Sequence, residues 1–420
     1  NLKWTGEDLT FTSITAFETF ERFYEEDTDV SPAKIVHNTY EAEIDQFTQE
    51  FRLGGESGGL NWLAGAYYYD QKTDGAFQID ASGIDYIIGD ANYDQETKSW
   101  SLFGQLEYAL SDYWSVLAGL RYTDEERELD YLSVDLNGLL PPEANTMFAY
   151  DDDISNDNVT GKVELDWRPT DGVLIYGSVA LGVKSAGFNT GVLDETGLFG
   201  MTVRDDVPYD EEELTSYEVG VKTDLFGGLS RLNASAFYYD YSDFQAFAFV
   251  NLNQVIFNTD ATISGMELEF VTNPVEGLDI MLGASVLDTE AKDIPLNDGS
   301  GMSRDREMTL SPEVALNGVV RYEWEALSGF VATQLDFKYQ DETFFDIQNH
   351  PISAMDSYEV WNARISYRTS DDKWSLTGFV NNVADEEYRA YSFDVTNLFG
   401  FNQVAYGRPR WGGVSLRYNL

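Results

Sequence analysis

Cysteine is absent from this 420-residue chain, and histidine occurs only twice. The first absence excludes disulfide staples and thiolate metal sites, and it suits export through an oxidising compartment. The second leaves His37 and His350 as the only histidine bases, both in predicted loops and neither in a nucleophile motif. Catalysis has little to stand on, and the chain reads as a non-enzyme that calls for no cofactor. Basic residues are scarce too: Lys and Arg total 26 against 74 Asp and Glu, a formal net charge of -48. That excludes nucleic acid, which needs a basic surface. No stretch approaches the ~20 consecutive apolar residues of a membrane-spanning helix. No Pro-, Gly- or Ser-rich linker divides the chain, so residues 1–420 read as one domain. Asn1 is neither a Met nor part of a charged and apolar leader, so the expectation is a mature or truncated chain.

Aromatic residues are abundant, at 15% of the chain with 26 Tyr, 26 Phe and 9 Trp, and they accompany 35 Gly. This mixture suits many strands, tight turns and interfacial girdles. The organising stretch is Tyr217 to Tyr241. Tyr217, Val219, Val221 and Leu225 alternate with Glu218, Gly220, Lys222 and Asp224, the period of a strand with one apolar face. Gly227 and Gly228 supply a tight turn, after which Leu232, Ala234, Ala236 and Tyr238 resume the apolar face on the return. The opposite face carries Glu218, Lys222, Asp224, Arg231 and Asn233, and the hairpin ends among Phe237, Tyr238, Tyr239 and Tyr241. An apolar band ending in aromatics, with a polar other face, is the pattern of a transmembrane barrel hairpin.

The same plan recurs along the chain. Trp100, Leu102, Leu106, Tyr108 and Leu110 alternate with Ser101, Gln105 and Glu107; Val159, Val163, Leu165 and Trp167 alternate with Thr160, Lys162, Glu164, Asp166 and Arg168. Short turns are predicted at 54–59, 111–112, 169–172, 226–230, 273–277, 325–328 and 370–373. Long loops are predicted near 73–95, 131–157, 187–212, 246–258, 291–308, 343–357 and 389–410. The count is about sixteen strands with short and long connections in strict turn. The predicted fold is all-β, a transmembrane antiparallel up-and-down β-barrel with all its long loops on one side. A soluble propeller would show a blade period of ~40–50 residues, which is missing. Two alternatives stay open: a complete sixteen-stranded passive porin, and a soluble carbohydrate-binding β protein with its apolar faces buried together.

Several motifs carry a resemblance. Tyr176–Asn189 (YGSVALGVKSAGFN), Glu211–Gln245, Asn258–Glu269 (NTDATISGMELE), Asn381–Tyr388 (NNVADEEY), Tyr406–Arg410 (YGRPR) and the last strand from Gly413 follow one another in the order found in TonB-dependent outer-membrane receptors, which this chain resembles over nearly its whole length. The resemblance implies a partial domain, since that family's barrel has about 22 strands around a plug, and both the plug and the first strands are expected to be missing. Leu420 stands where Phe is usual in the family. It further implies energy-coupled import of a scarce small-molecule nutrient, such as a ferric siderophore, cobalamin or a glycan-derived compound. The implied partners are outer-membrane lipid and lipopolysaccharide, the TonB–ExbB–ExbD complex acting through the plug, and the barrel assembly machinery acting through the C-terminal strand. The implied place is the outer membrane of a Gram-negative bacterium.

Ligand contact is expected at loop tips and on the upper lumen wall, where aromatic faces supply area and a few polar groups fix orientation. The candidates are Tyr150, Phe199, Phe344, Phe345, Tyr391 and Phe393, with Lys184 and Asn189 at a strand exit. Packing within the girdle or the loops is the competing account for each. Asp151, Asp152, Asp153 and Asp157 group oxygen ligands as calcium would require, but they fit no EF-hand spacing; a solvated acidic turn is the simpler account, and no metal site is assigned. Lys162, Glu164, Arg121 and Glu107 are expected to form inter-strand ladders in the lumen or to contact the plug.

Overall fold

The computed structural model describes residues 1–28, 32–84, 88–138, 145–191, 207–250, 253–296, 301–394, 396 and 400–419. A short edge strand, β1 (Leu2–Thr5), folds back on β2 (Leu9–Asp27). Long strands β3 (His37–Ser57), β4 (Leu60–Asp80), β5 (Ile88–Ala109), β6 (Trp114–Asp135), β7 (Thr146–Thr170) and β8 (Val173–Lys184) follow. A ribbon of β9 (Gly187–Phe188) and β10 (Pro208–Tyr209) precedes β11 (Glu212–Leu225), β12 (Ser230–Val250), β13 (Asn253–Thr272) and β14 (Leu278–Pro295). β15 (Ser303–Arg306) pairs with the end of β14, and β16 (Val314–Ala326) and β17 (Gly329–Gln340) continue the series. A ribbon of β18 (Thr343–Phe344) and β19 (Ala354–Met355) leads to β20 (Tyr358–Thr369) and β21 (Trp374–Asn381). A ribbon of β22 (Arg389–Asp394) and β23 (Asn402–Tyr406) leads to β24 (Trp411–Tyr418).

Each long strand pairs antiparallel with the next, so β1, β15 and sixteen up-and-down strands make one 18-stranded sheet. One parity holds across it. Register places Phe51, Ala66, Leu102, Tyr122 and Val159 in one row, and Val163, Val179, Tyr217 and Tyr238 in another, all on the same face. That face is apolar and uncovered: Leu120 is 63% exposed, Val163 57%, Val219 62% and Met266 64%. In water such a continuous surface would be untenable. In lipid it is the solvent-facing side of a barrel wall. The soluble alternative, which needs these faces buried together, does not describe this sheet.

Aromatic pairs border the apolar band. Near the short turns lie Trp114 stacked on Trp167 at 5.7 Å and Trp374 beside Tyr418 at 4.6 Å. Near the other border lie Trp100 with Tyr122 at 5.5 Å, Phe17 with Phe47 at 4.8 Å and Phe337 with Trp361 at 4.9 Å. Trp114 and Tyr122 lie eight residues apart on β6, which at ~3.3 Å a step and a tilt of ~35–45° gives a band about 20 Å tall. Turns at the Trp114 end are tight. In the one at Phe226–Gly228, three consecutive residues have positive φ (53°, 71° and 90°), which the two glycines adopt freely.

Above the band the long connections turn out to be largely strand. β4 runs to Asp80 and β5 starts at Ile88, inside the predicted 73–95 loop; β6 and β7 extend to Asp135 and from Thr146, inside the predicted 131–157 loop. The apparent acidic turn at Asp151–Asp153 is therefore part of β7, with Asp152 on the face opposite Asp151 and Asp153. His37 likewise begins β3. There the outer face is acidic: Glu21, Glu43, Asp74, Asp94, Asp130 and Asp151 form one row across β2 to β7.

The inner face carries the charges expected of a lumen, but the pairing differs from inter-strand ladders. Glu50 and Arg52 (2.7 Å), Glu125 and Arg127 (3.1 Å), Lys162 and Glu164 (2.7 Å), and Asp166 and Arg168 (2.8 Å) are neighbours two apart on one strand. The pleat brings residues i and i+2 to one face, so the pairs form locally. Arg121 lies 5.6 Å from the rings of both Tyr67 and Phe103 instead of an acid. Glu107 lines a cavity near the short-turn rim with Glu7 and Glu56.

Among the described residues no ladder joins 9–17 to 411–418: β2 is paired on both sides, by β1 and β3, and β24 pairs only with β21. Outward residues beside this seam are very open, Phe17 at 78% and Val414 at 75%. A sixteen-stranded closed porin is not what this sheet forms.

Candidate functional site

A water-excluded cluster lies above the band, on the inner side. Register lines up Tyr24, Tyr40, Phe77 and, three strands on, Phe148; a second row sets Arg22, Tyr93, Tyr131 and Tyr150 beside it. Tyr40 stacks between Tyr24 at 5.5 Å and Phe77 at 4.9 Å, while Phe148 is tilted against Tyr131 and stacked on Tyr150, which meets Phe188 edge to face. The cluster closes over Phe77, Tyr131 and Phe148, none more than 6% exposed. Burial raises the phenol pKa of Tyr131, Tyr93 and Tyr40 above the ordinary value, so these hydroxyls stay protonated donors.

Two connections roof this wall. The β12–β13 tip crosses to the far side, where Gln254 donates to the Tyr40 hydroxyl at 3.2 Å. The segment after β8 is tied to that tip through Asn189 and Ile256. Gln245 adds three bonds, its backbone N–H donating to the Glu212 carboxylate (2.8 Å) and its side chain to the carbonyls of Ser185 and Asp210. Glu211 beside it has its carboxyl pKa raised, first by burial and then by Glu213.

A second cluster forms from β18–β19 and β22–β23. His350 Nδ1 lies 3.6 Å from Asp346 and 3.5 Å from Asp394, and Arg389 donates to the carbonyls of Ile352 (2.8 Å) and Ala354 (2.7 Å). Ser353 Oγ bonds Asp346 and the His350 carbonyl, not the imidazole, so no nucleophile–base pair is assembled. The NNVADEEY motif has a structural role: Asn382, in a positive-φ conformation (51°), donates to the carbonyls of Glu386 and Arg408, and its N–H reaches Asn362 Oδ1 at 2.9 Å. Asp385 accepts the Arg410 N–H at 2.7 Å. The last loop is thereby fastened to the strand walls.

The predicted candidates divide between these clusters. Tyr150 is buried in the first, its hydroxyl donating to Asp152 at 2.6 Å. Asn189 is buried there as well, and Lys184 ends β8 in register with Glu212 and is exposed. Phe344, Phe345, Tyr391 and Phe393 belong to the second cluster, Phe345 and Tyr391 edge to face at 6.5 Å. Tyr391 stays 44% exposed. Its phenol pKa is raised by partial burial and then by Glu26, Tyr24 and Tyr40, so the two clusters approach one another there. Phe199 lies outside the described residues, as does Leu420. Pattern reading missed Tyr24, Tyr40, Tyr358 and Tyr388; the inward parity of β2 and β3 was the available signal for the first two. Among the described residues no group of three or more acidic or histidine side chains is arranged to hold a metal ion.

The family model described as "TonB dependent receptor-like, beta-barrel" matches residues 1–383. The pesticin receptor of Yersinia pestis is 21% identical over 398 residues, covering 93% of this chain and 54% of that protein. The probable TonB-dependent siderophore receptor PiuA of Acinetobacter baumannii is 21% identical over 84% of this chain and 51% of its own length. The chain thus spans about half the length of these relatives. Among solved structures, the ferric yersiniabactin uptake receptor FyuA of Yersinia pestis superposes with a TM-score of 0.79 at 18% identity, covering 99% of this chain and 60% of that one.

Proposed function

We infer the function from one premise: this chain belongs to the TonB dependent receptor-like β-barrel family. It is accordingly an outer-membrane protein that spans with strands. We propose that it forms the ligand-capturing wall of a TonB-coupled receptor importing a siderophore–iron complex or a similar scarce nutrient. In this reading residues 1–420 are a partial barrel domain, and a plug and further strands belong to the whole receptor. The plug would connect to TonB–ExbB–ExbD, β24 would engage the barrel assembly machinery, and the apolar band would meet lipid and lipopolysaccharide.

The observation that carries the proposal is the roofed aromatic vestibule above a polar, ion-paired lumen wall. Tyr391, Phe345 and Lys184 are the proposed ligand-facing candidates, since each keeps exposed or half-exposed surface there. Captured ligand would rest against aromatic area while loop carbonyls and amides fix its orientation. Release into the periplasm would depend on the plug.

The test uses the full-length receptor in a strain lacking its own siderophore receptors, grown under iron limitation with single purified ferric siderophores. Growth that needs an intact tonB gene, and that falls at least about tenfold in ligand affinity with Tyr391→Ala, is the expected result. Non-saturable uptake unaffected by loss of TonB would sink the reading and restore passive diffusion.

A further inference from the structure

A cavity of about 520 Å³ opens on the inner wall where the tops of β17 and β20 meet the last loops. Its walls are aromatic and flat. Tyr388 stacks on Tyr358 with centroids 4.5 Å apart and planes 3° apart, and Phe345 and Met355 complete the apolar side. Two cations enter the same space, Lys338 from β17 and Arg389 from β22.

Both lack a partner acid among the described residues. In a chain of 74 acids, several inner-wall cations are paired, Lys162 with Glu164, Arg127 with Glu125, and Arg321 with Asp279, while Arg121, like these two, lies beside aromatic rings. Among the described residues, neither Lys338 nor Arg389 has a carboxylate within ion-pair distance. Lys338 Nζ spends one donor on the Tyr358 hydroxyl at 3.2 Å, which leaves two. Arg389 uses Nη1 for the Ile352 and Ala354 carbonyls, which leaves Nε and Nη2. The one acid of the cavity, Asp336, is already engaged by Asn362 at 2.7 Å, Gln334 at 3.2 Å and Arg364 at 3.9 Å.

We propose that this cavity is an anion-accepting subsite for an aromatic ring bearing an acidic oxygen, with the ring against Tyr358, Tyr388 and Phe345 and the anionic oxygen between Lys338 Nζ and Arg389. It names the ligand chemistry of the vestibule and so rests on the receptor reading. Unpaired cations beside a desolvating aromatic wall favour a charge-assisted contact, roughly twice as strong as a neutral one. The net acidity of the surroundings makes such a contact selective for place, since an anion is repelled elsewhere on the rim.

The experiment measures binding of benzoate and of its uncharged isostere benzamide to the full-length receptor in detergent micelles, by calorimetry or saturation-transfer NMR. Benzoate is expected to bind about tenfold tighter than benzamide. Lys338→Gln should remove that preference while leaving benzamide binding unchanged, Lys338→Arg should restore most of it, and Lys162→Gln should do nothing. Equal affinity for the two probes, no saturable binding of either, or an unaltered preference in Lys338→Gln would overturn the proposal. Uptake is not read in this assay, so a failure of TonB-coupled transport would appear separately, in the growth experiment.

Discussion

The side-chain amide of Asn189 exchanges two hydrogen bonds with the backbone of Ile256, Nδ2 donating to the carbonyl at 2.8 Å and Oδ1 accepting the N–H at 2.7 Å. An amide placed this way imitates a strand partner. It joins the segment following β8 to the β12–β13 tip, with Gly191 and Gln254 forming a further bridge alongside. Asn189→Ala strips both bonds and leaves buried backbone groups unmatched, at a cost of about 1–3 kcal/mol. The roof should loosen without the wall: amide exchange at 254–257 should quicken at least about tenfold, while the midpoint of global unfolding stays put. Unchanged exchange there would show that the roof is held by other contacts.

Lys162 and Val163 are sequence neighbours on opposite faces of β7. Val163→Arg puts a charge into lipid near mid-band and should cost about 2–4 kcal/mol. Lys162→Gln breaks a half-exposed ion pair with Glu164 and should cost less than ~1 kcal/mol. Urea unfolding in phospholipid vesicles compares the two; equal losses would mean that the outward face of β7 is not in lipid.

Asp80 responds to acid in a defined window. A hydrogen bond from Lys34, then one from the Ser82 hydroxyl, holds its carboxyl pKa at about 2, below the ordinary 3.8. The folded value is depressed, so the stabilisation is complete above the unfolded value and disappears as pH falls through 2. Below that pH the tether from Lys34 to β4 should release, seen as protease sensitivity near residues 34–36. Lys34→Ala should move the carboxyl titration back toward 3.8 in carbon NMR; no movement would mean that the contact is not formed in solution.

Gly407 gives its N–H to the Tyr388 carbonyl at 2.8 Å and packs directly under that ring. A Cβ at 407 would overlap the Tyr388 ring, so Gly407→Ala should tilt it off Tyr358 and cost about 1–3 kcal/mol locally. Near-ultraviolet circular dichroism reports the loss of the tyrosine stack. A spectrum identical to the wild type would count against the close approach.

The lower half of each strand was legible because one face meets lipid and the other water. Val159 to Trp167 alternates for that reason, and the sixteen-strand series and its turns follow from such runs. The upper half of the same strand was not, because from Asp151 to Asn158 both faces of β7 are mostly polar and the period vanishes into what reads as an acidic loop. Short ribbons such as β22–β23 were hidden similarly, inside a stretch too irregular to alternate. The vestibule was legible only as a type of place. Phe345 and Tyr391 stood out as loop aromatics, but nothing local joins Lys338 to Arg389; the antiparallel order of β17, β20 and β21, and the fastening of the last loop by Asn382, bring them together.

The ion pairs that lie two residues apart, Glu50 with Arg52, Glu125 with Arg127, Lys162 with Glu164 and Asp166 with Arg168, make these strands carry their own counter-charges. A hairpin built so arrives at the membrane already neutral on its wet side at these positions. It can be added to a growing wall, or held at an unzipped edge, without stranding a lone charge, and its neighbours can change in evolution without a matching change of sign.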